Sequence, residues 1–179
     1  MVIDGKALGA VAVCAALLVG ACGGSSSSTS SAPSRTAVWS AQTQALCKEK
    51  QAAIARLGYV HITYGGIARV GLPAVKRSLD AYLGRLLAVL RTFSARGHQL
   101  TTPAAYVSAM GTANQLDAES QAVTARLKAE IAGVANAGQL TSAFRSWLTS
   151  LHQISGRGDA VARQLNLPAC RSGSAGAGG

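Results

Sequence analysis

Leu72-Pro-Ala-Val-Lys-Arg-Ser-Leu-Asp-Ala-Tyr-Leu-Gly-Arg-Leu-Leu-Ala-Val-Leu-Arg-Thr-Phe-Ser-Ala-Arg-Gly97 decides the fold class of this 179-residue chain. Leu72, Val75, Leu79, Tyr82, Leu86, Val89 and Phe93 occupy successive a and d positions of a heptad, and Leu83, Leu87 and Leu90 broaden the stripe. A stripe of that width suits a helix packed inside a bundle rather than the narrow seam of a two-stranded coil. Pro73 falls where a first helical turn has no use for an N–H, and Gly97 supplies a stop.

The helical period continues on both sides. Downstream, Thr101-Thr102-Pro103 reads as a cap, opening a helix over 103–135 with Tyr106, Met110, Ala113, Leu116, Val123, Leu127, Ile131 and Val134 on one side. Asn136-Ala-Gly138 reads as a stop. Thr141 then starts a last helix whose apolar set is Phe144, Trp147, Leu148, Leu151, Ile154, Val161 and Leu165, loosened in its middle by Gly156 and Gly158. Upstream, 37–57 is an alanine-rich helix with Val38, Ala41, Ala45, Ala52, Ile54 and Leu57 near one another, interrupted by Gly58. The stretch 59–71, with its Gly65-Gly66 pair, reads as a loop, with a short helix inside it as the alternative. No strand or hairpin pattern is present. The expected fold is all-α, a four-helix up-and-down bundle over 37–170, followed by a Gly/Ser/Ala tail at 171–179.

The chain opens with Lys6, an apolar run over 7–21 and then Cys22, the form of a secretory signal, although Asp4 is unusual there. The run is too short and too rich in small residues for a membrane span. Leu18-Val19-Gly20-Ala21-Cys22 resembles the lipobox of bacterial lipoproteins, with Val19 in a place where Leu is commoner. The resemblance implies that 1–21 is removed and that a diacylglyceryl group is carried on the Cys22 sulfur. It also implies an address on the outer face of a bacterial cell membrane. Two acyl chains hold a protein stably at a bilayer, at about 0.8 kcal/mol per buried CH₂, so no spanning helix is required. Residues 23–36 are Gly, Ser and Thr with Ala, Pro and Arg, a flexible tether whose random-coil span is about 20 Å. The composition, this tether and the Leu167-Pro-Ala-Cys170 ending together resemble the small exported lipoproteins of actinobacteria, which implies a location and no activity.

Cys47 and Cys170 remain as an even pair in an exported chain, and the expectation is a disulfide between them. The ends of an up-and-down bundle meet, so fold and bond agree. Neither cysteine belongs to a CxxC motif, which leaves redox and zinc chemistry unsupported.

Charge is the remaining signal. The chain carries 17 Lys and Arg against 7 Asp and Glu, with a net charge of +10. Arg69, Lys76, Arg77, Arg85 and Arg91 face only Asp80 in sequence, mostly at e, f and g of the heptad, and Arg96 follows past the core. They are the candidate contact with an anionic lipid surface or an acidic envelope polymer. An exported address argues against nucleic acid, as does an aromatic content of 4%. His61, His98 and His152 fall in different segments without metal-ligand spacing, and no cofactor motif is present. Asp117 and Glu119 are two apart and point to different sides of a helix. Arg157-Gly-Asp159 spells an integrin-binding tripeptide inside a predicted helix, where Asp159 reads better as a cap after Gly158. The expected function is therefore that of a non-enzymatic, lipid-anchored binding or accessory module. The alternative is a carrier that holds a lipid or other apolar ligand between its helices.

Overall fold

Ser34 accepts the Ala37 N–H on its hydroxyl at 3.2 Å, satisfying one of the donors that a helix start leaves free. The computed structural model describes residues 33–172. The expected leader 1–21, Cys22, the tether up to 32 and the tail beyond 172 lie outside the described residues. Five α-helices occur among those described: α1 Arg35–Arg56, α2 Tyr64–Val70, α3 Leu72–His98, α4 Val107–Gly133 and α5 Ala137–Gln164. Single 3-10 turns at Ala104–Tyr106 and Pro168–Cys170 flank α4 and follow α5. No described helix is long and apolar enough to cross a membrane.

The all-α expectation holds, but five helices stand where four were expected. The extra one, α2, forms within 59–71 because Thr63 caps it, its Oγ1 accepting the Gly66 N–H at 3.0 Å. Ile67 on α2 is buried in the core. Gly71, at φ +83°, then turns the chain into α3 in a conformation that side chains rarely adopt. Two boundaries also move. Helix α1 takes in Arg35 and Thr36, which the sequence reading assigned to the tether. Helix α5 begins at Ala137, not Thr141, because Asn136 is a cap rather than a stop. Its Oδ1 accepts the Gln139 N–H at 3.0 Å, while Gln139 Oε1 accepts the Ala135 N–H at 2.8 Å, a reciprocal arrangement like a capping box. Helix α5 runs unbroken through Gly156 and Gly158. Its buried Val161 and Ala162 outweigh the roughly 1 kcal/mol that each glycine costs.

Neighbouring long helices run antiparallel. Lys128 of α4 meets Asp80 of α3 while Lys76 meets the end of α4, and Trp147 of α5 meets Thr124 of α4. Helix α1 lies on α3, with Glu49 paired to Arg96. Two apolar clusters result. The larger gathers Leu79, Leu83, Leu86, Leu90, Leu127, Ile131, Leu140, Phe144 and Trp147, with Ile67 plugging it. On α3 the most buried residues are Leu79, Leu83, Leu86, Leu87 and Leu90, so the inner face follows the 3.6 period of a globular helix and the d residues Tyr82 and Val89 are only half-buried. The smaller cluster joins Trp39, Ala109, Leu116, Val161, Leu165 and Leu167. Trp39 sets the phase of α1: it and Thr43 are buried, whereas Val38, Ala41, Ala45 and Ala52 are exposed, contrary to the sequence reading. Leu148 is likewise at the surface, its place inside α5 taken by Leu140.

Cys47 and Cys170 are joined by a disulfide that closes a separation of 123 residues. Asn166, at φ +53°, ends α5 in a Schellman motif, with the Leu167 N–H on Ala162 O and the Asn166 N–H on Arg163 O. The turned chain is then strapped down from two sides. Gln51 Nε2 donates to Ala169 O and Arg171 O, each at 3.0 Å, and Asp159 accepts the Ser172 N–H at 2.6 Å and its hydroxyl at 2.5 Å. Asp159 therefore anchors the end of the domain and caps no helix. Burial pushes its carboxyl up, but the Ser172 hydrogen bonds with Arg171 and Arg163 outweigh that and hold it below the usual carboxylate value.

Candidate functional site

The charges sort into those that are neutralised and those that are not. Four ion pairs are found among the described residues: Lys50 with Asp117, Arg96 with Glu49, Lys128 with Asp80 and Arg157 with Glu119. Asp159 is taken by Ser172. Of the six carboxylates between 33 and 172, this leaves Glu130, exposed on α4. Four of the six carboxylates are used in joining helices, and Arg77, Arg85 and Arg91 form no ion pair among the described residues.

Helix α3 carries a compact part of the cationic surplus on its solvent side, while Arg35, Lys48, Arg56, Arg126, Arg145 and Arg163 are exposed on the other long helices, also outside those four ion pairs. With about 100° of turn per residue, Arg77, Arg85 and Arg91 fall within an arc of about 120°. All three are exposed, and none belongs to the ion pairs among the described residues. The exposed residues between them are Ser78, Ala81 and Ala88, too small to screen a guanidinium. From Arg77 to Arg91 the stripe rises about 21 Å. Arg85 lies close enough to Tyr82 to favour its phenolate, yet burial of that ring is the larger effect and holds the hydroxyl above its ordinary value. Arg91 borders an open depression of about 480 Å³ between α3 and α4, together with Gly84, Leu87, Ala125 and the Lys128–Asp80 pair. A second depression, of about 300 Å³, lies between α1 and the end of α3 beside Glu49 and Arg96. Both are lined in part by ion-paired side chains.

The other expected contact residues divide. Arg69 is exposed on α2, its Nε donating to Gly65 O at 3.3 Å. Lys76 is half-buried, and its Nζ donates to Ala132 O and Val134 O, each at 2.9 Å. It caps the carbonyl end of α4, where a cation also meets the negative end of the helix dipole. That role leaves Lys76 outside the arginine stripe.

His61, His98 and His152 are exposed on separate segments, and no group of three His, Cys, Asp or Glu among the described residues could hold a metal. Asp117 and Glu119 do point apart, the first to Lys50 and Gln121, the second to Arg157 and Gln115. Gln51 and Ser172, which fasten the end of the domain, were not singled out from the sequence. Nor were Tyr59 and Tyr64, although Tyr-Val-His-Ile at 59–62 alternates in the manner of a segment with one face inward. Compared with protein-family models, curated proteins and solved structures, the chain matches none.

Proposed function

We propose that this chain is a lipid-anchored protein of the bacterial cell envelope, a binding or accessory module whose helical domain rests the arginine side of α3 on an anionic surface. The observation that carries the reading is the set Arg77, Arg85 and Arg91, exposed on one solvent face of α3 and without an ion pair among the described residues. We read the four long helices as the frame of a bundle and α2 as an insertion at one end.

Cys22, at the end of its apolar run, supplies the anchor, and the tether ends at Ser34 where α1 is capped. Such a tether spans about 20 Å, which keeps the domain within reach of the headgroups. Each well-placed cation near an anionic leaflet contributes about 1 kcal/mol, and salt screens that contribution over about 10 Å at 0.1 M. Three guanidinium groups on one face therefore give an orienting force and, without the lipid, weak binding.

The test is co-sedimentation of the purified domain, residues 33–172, with phosphatidylglycerol vesicles at rising salt. Binding is expected at low salt, weaker with each of Arg77→Ser, Arg85→Ser and Arg91→Ser, and lost by about 0.5 M salt as the screening length shortens. Equal binding to phosphatidylcholine vesicles, or no response to the triple substitution, overturns the arginine reading. The anchor is tested separately by intact mass: a mature chain beginning at Cys22 with a diacylglycerol increment is expected, and a different start or an unmodified mass refutes it.

A further inference from the structure

At the opposite end of the domain from Ser34, the chain between α1 and α3 builds a surface of a different kind. Gly58, at φ +77°, turns the chain out of α1. From there the side chains alternate. Tyr59 is 93% exposed and His61 is exposed, while Val60 and Ile62 pack against the larger core. The inward pair fastens the segment and lifts Tyr59 clear of the protein. Helix α2 continues the pattern, with Ile67 inside, Tyr64 60% exposed and Val70 50% exposed. Six large apolar residues are exposed among those described, and three of them belong to this one short stretch.

Cations accompany them without acids. Arg56, Arg69 and Arg77 flank the tyrosines, no Asp or Glu occurs between Glu49 and Asp80, and none of these arginines joins an ion pair among the described residues. The place of this surface is fixed by its neighbours. A Cβ on Gly138, at the start of α5, would meet the Tyr64 hydroxyl at 3.3 Å, whereas Trp39 near the start of α1 packs with Val161 and Leu165 at the other end of α5.

We propose that Tyr59, Tyr64 and Val70, with Arg56, Arg69 and Arg77, seat at the headgroup level of an anionic bilayer and form a second attachment remote from the lipid anchor. The inference rests on the arginine reading above and deepens it. Phenol rings that are apolar in body and polar at the tip favour the boundary between hydrocarbon and water. Arginine suits the same depth, burying its stem while the guanidinium meets phosphate. An acidic polymer would engage the arginines but would leave Tyr59 and Val70 in water; a bilayer accounts for both. Helix α5 runs about 42 Å between the two ends. Attachment at both ends lays the helices along the membrane instead of upright on the tether.

The test places a reporter at the most exposed ring. Tyr59→Trp is made in the full-length chain and reconstituted into vesicles of phosphatidylcholine with or without phosphatidylglycerol, using acyl-brominated lipids as quenchers. Trp39 and Trp147 are buried, and the parent chain measured alongside supplies their signal. In vesicles containing phosphatidylglycerol the added indole should shift to the blue and be quenched at least about twofold, as for a ring held at the interface. Quenching should fall towards the phosphatidylcholine level when Arg69→Ser and Arg77→Ser are added. An indole at position 59 that is unquenched in the anionic vesicles overturns the proposal. If residues 33–172 still bind those vesicles in a salt-dependent manner, only the second attachment falls; if they do not, the arginine reading falls as well.

Discussion

The two apolar clusters are built from unlike materials. The larger is supplied by α3, α4 and the first half of α5, which follow one another in the chain through short connections. The smaller brings Trp39, near the start of the described chain, against Val161, Leu165 and Leu167 near its end. Local neighbours close their contacts at little entropic cost, whereas the smaller cluster must first close a loop of most of the domain. Its fittings differ accordingly. It has the disulfide, the Gln51 bonds to the terminal carbonyls, the Asp159 bonds to Ser172 and the stacked rings of Trp39 and Tyr106 at 5.1 Å. A cluster supplied by adjacent helices holds without a covalent cross-link. One that joins distant ends is cross-linked.

That contrast is open to breakage from either side. The largest effect is expected in the leucine cluster. Leu83 is wholly buried, and Leu83→Ala should cost about 3–5 kcal/mol, the transfer free energy of the lost methyls plus the cavity they leave. Urea denaturation measures it, and a cost under about 1 kcal/mol would mean that the cluster is loosely packed. Next comes the cross-link. Replacing Cys47 and Cys170 together by Ala should cost about 2–4 kcal/mol, and the greater freedom of the unfolded chain is the main cause. Hydrogen exchange gives the sharper reading. Amides around Trp39 and Leu167 should lose protection first, while those around Leu127 and Leu83 keep theirs. Uniform loss across both clusters would show that the domain opens as one unit.

The same contrast explains what the sequence disclosed. The leucine stripe of α3 was legible because large apolar residues recur without interruption from Leu72 to Phe93. The disulfide was legible from cysteine arithmetic, and the cationic side of α3 from the shortage of acids. Helix α1 was misphased because its alanines fit several faces equally, and one tryptophan decides between them. Helix α2 was legible only as an alternative to a loop because two glycines argue against a helix locally, and it takes the Thr63 cap and the burial of Ile67 to overrule them. Asn136 and Asp159 were given the wrong jobs for a common reason: a short polar side chain can cap, stop or strap, and only its partner tells which. Lys76 reads as surface charge until the end of α4 is seen beside it. The arginines at 77, 85 and 91 were readable as a set; the absence of ion pairs among the described residues to match them was not.

The smallest effect is the most discriminating, and it compares the two tryptophans. Trp147, in the larger cluster, donates its indole N–H to Thr124 Oγ1 at 3.2 Å, and that hydroxyl in turn donates to Ser120 O at 2.8 Å. Trp39, in the smaller cluster, is 2% exposed, and its indole N–H has no hydrogen-bond partner among the described residues. Substitution by Phe removes the same atoms at both sites, so the loss of volume largely cancels in the difference. What remains is one made hydrogen bond against one unmade. A made bond contributes about 0.5–1.5 kcal/mol, and an unsatisfied buried donor costs about 1–3 kcal/mol. Trp147→Phe should therefore destabilise by at least about 1.5 kcal/mol more than Trp39→Phe, which is itself expected near neutral because the Tyr106 contact survives. Paired denaturation curves read the difference directly. Equal losses would mean that the Trp39 N–H finds an acceptor in solution, and the smaller cluster would then be as well satisfied as the larger despite its long closure.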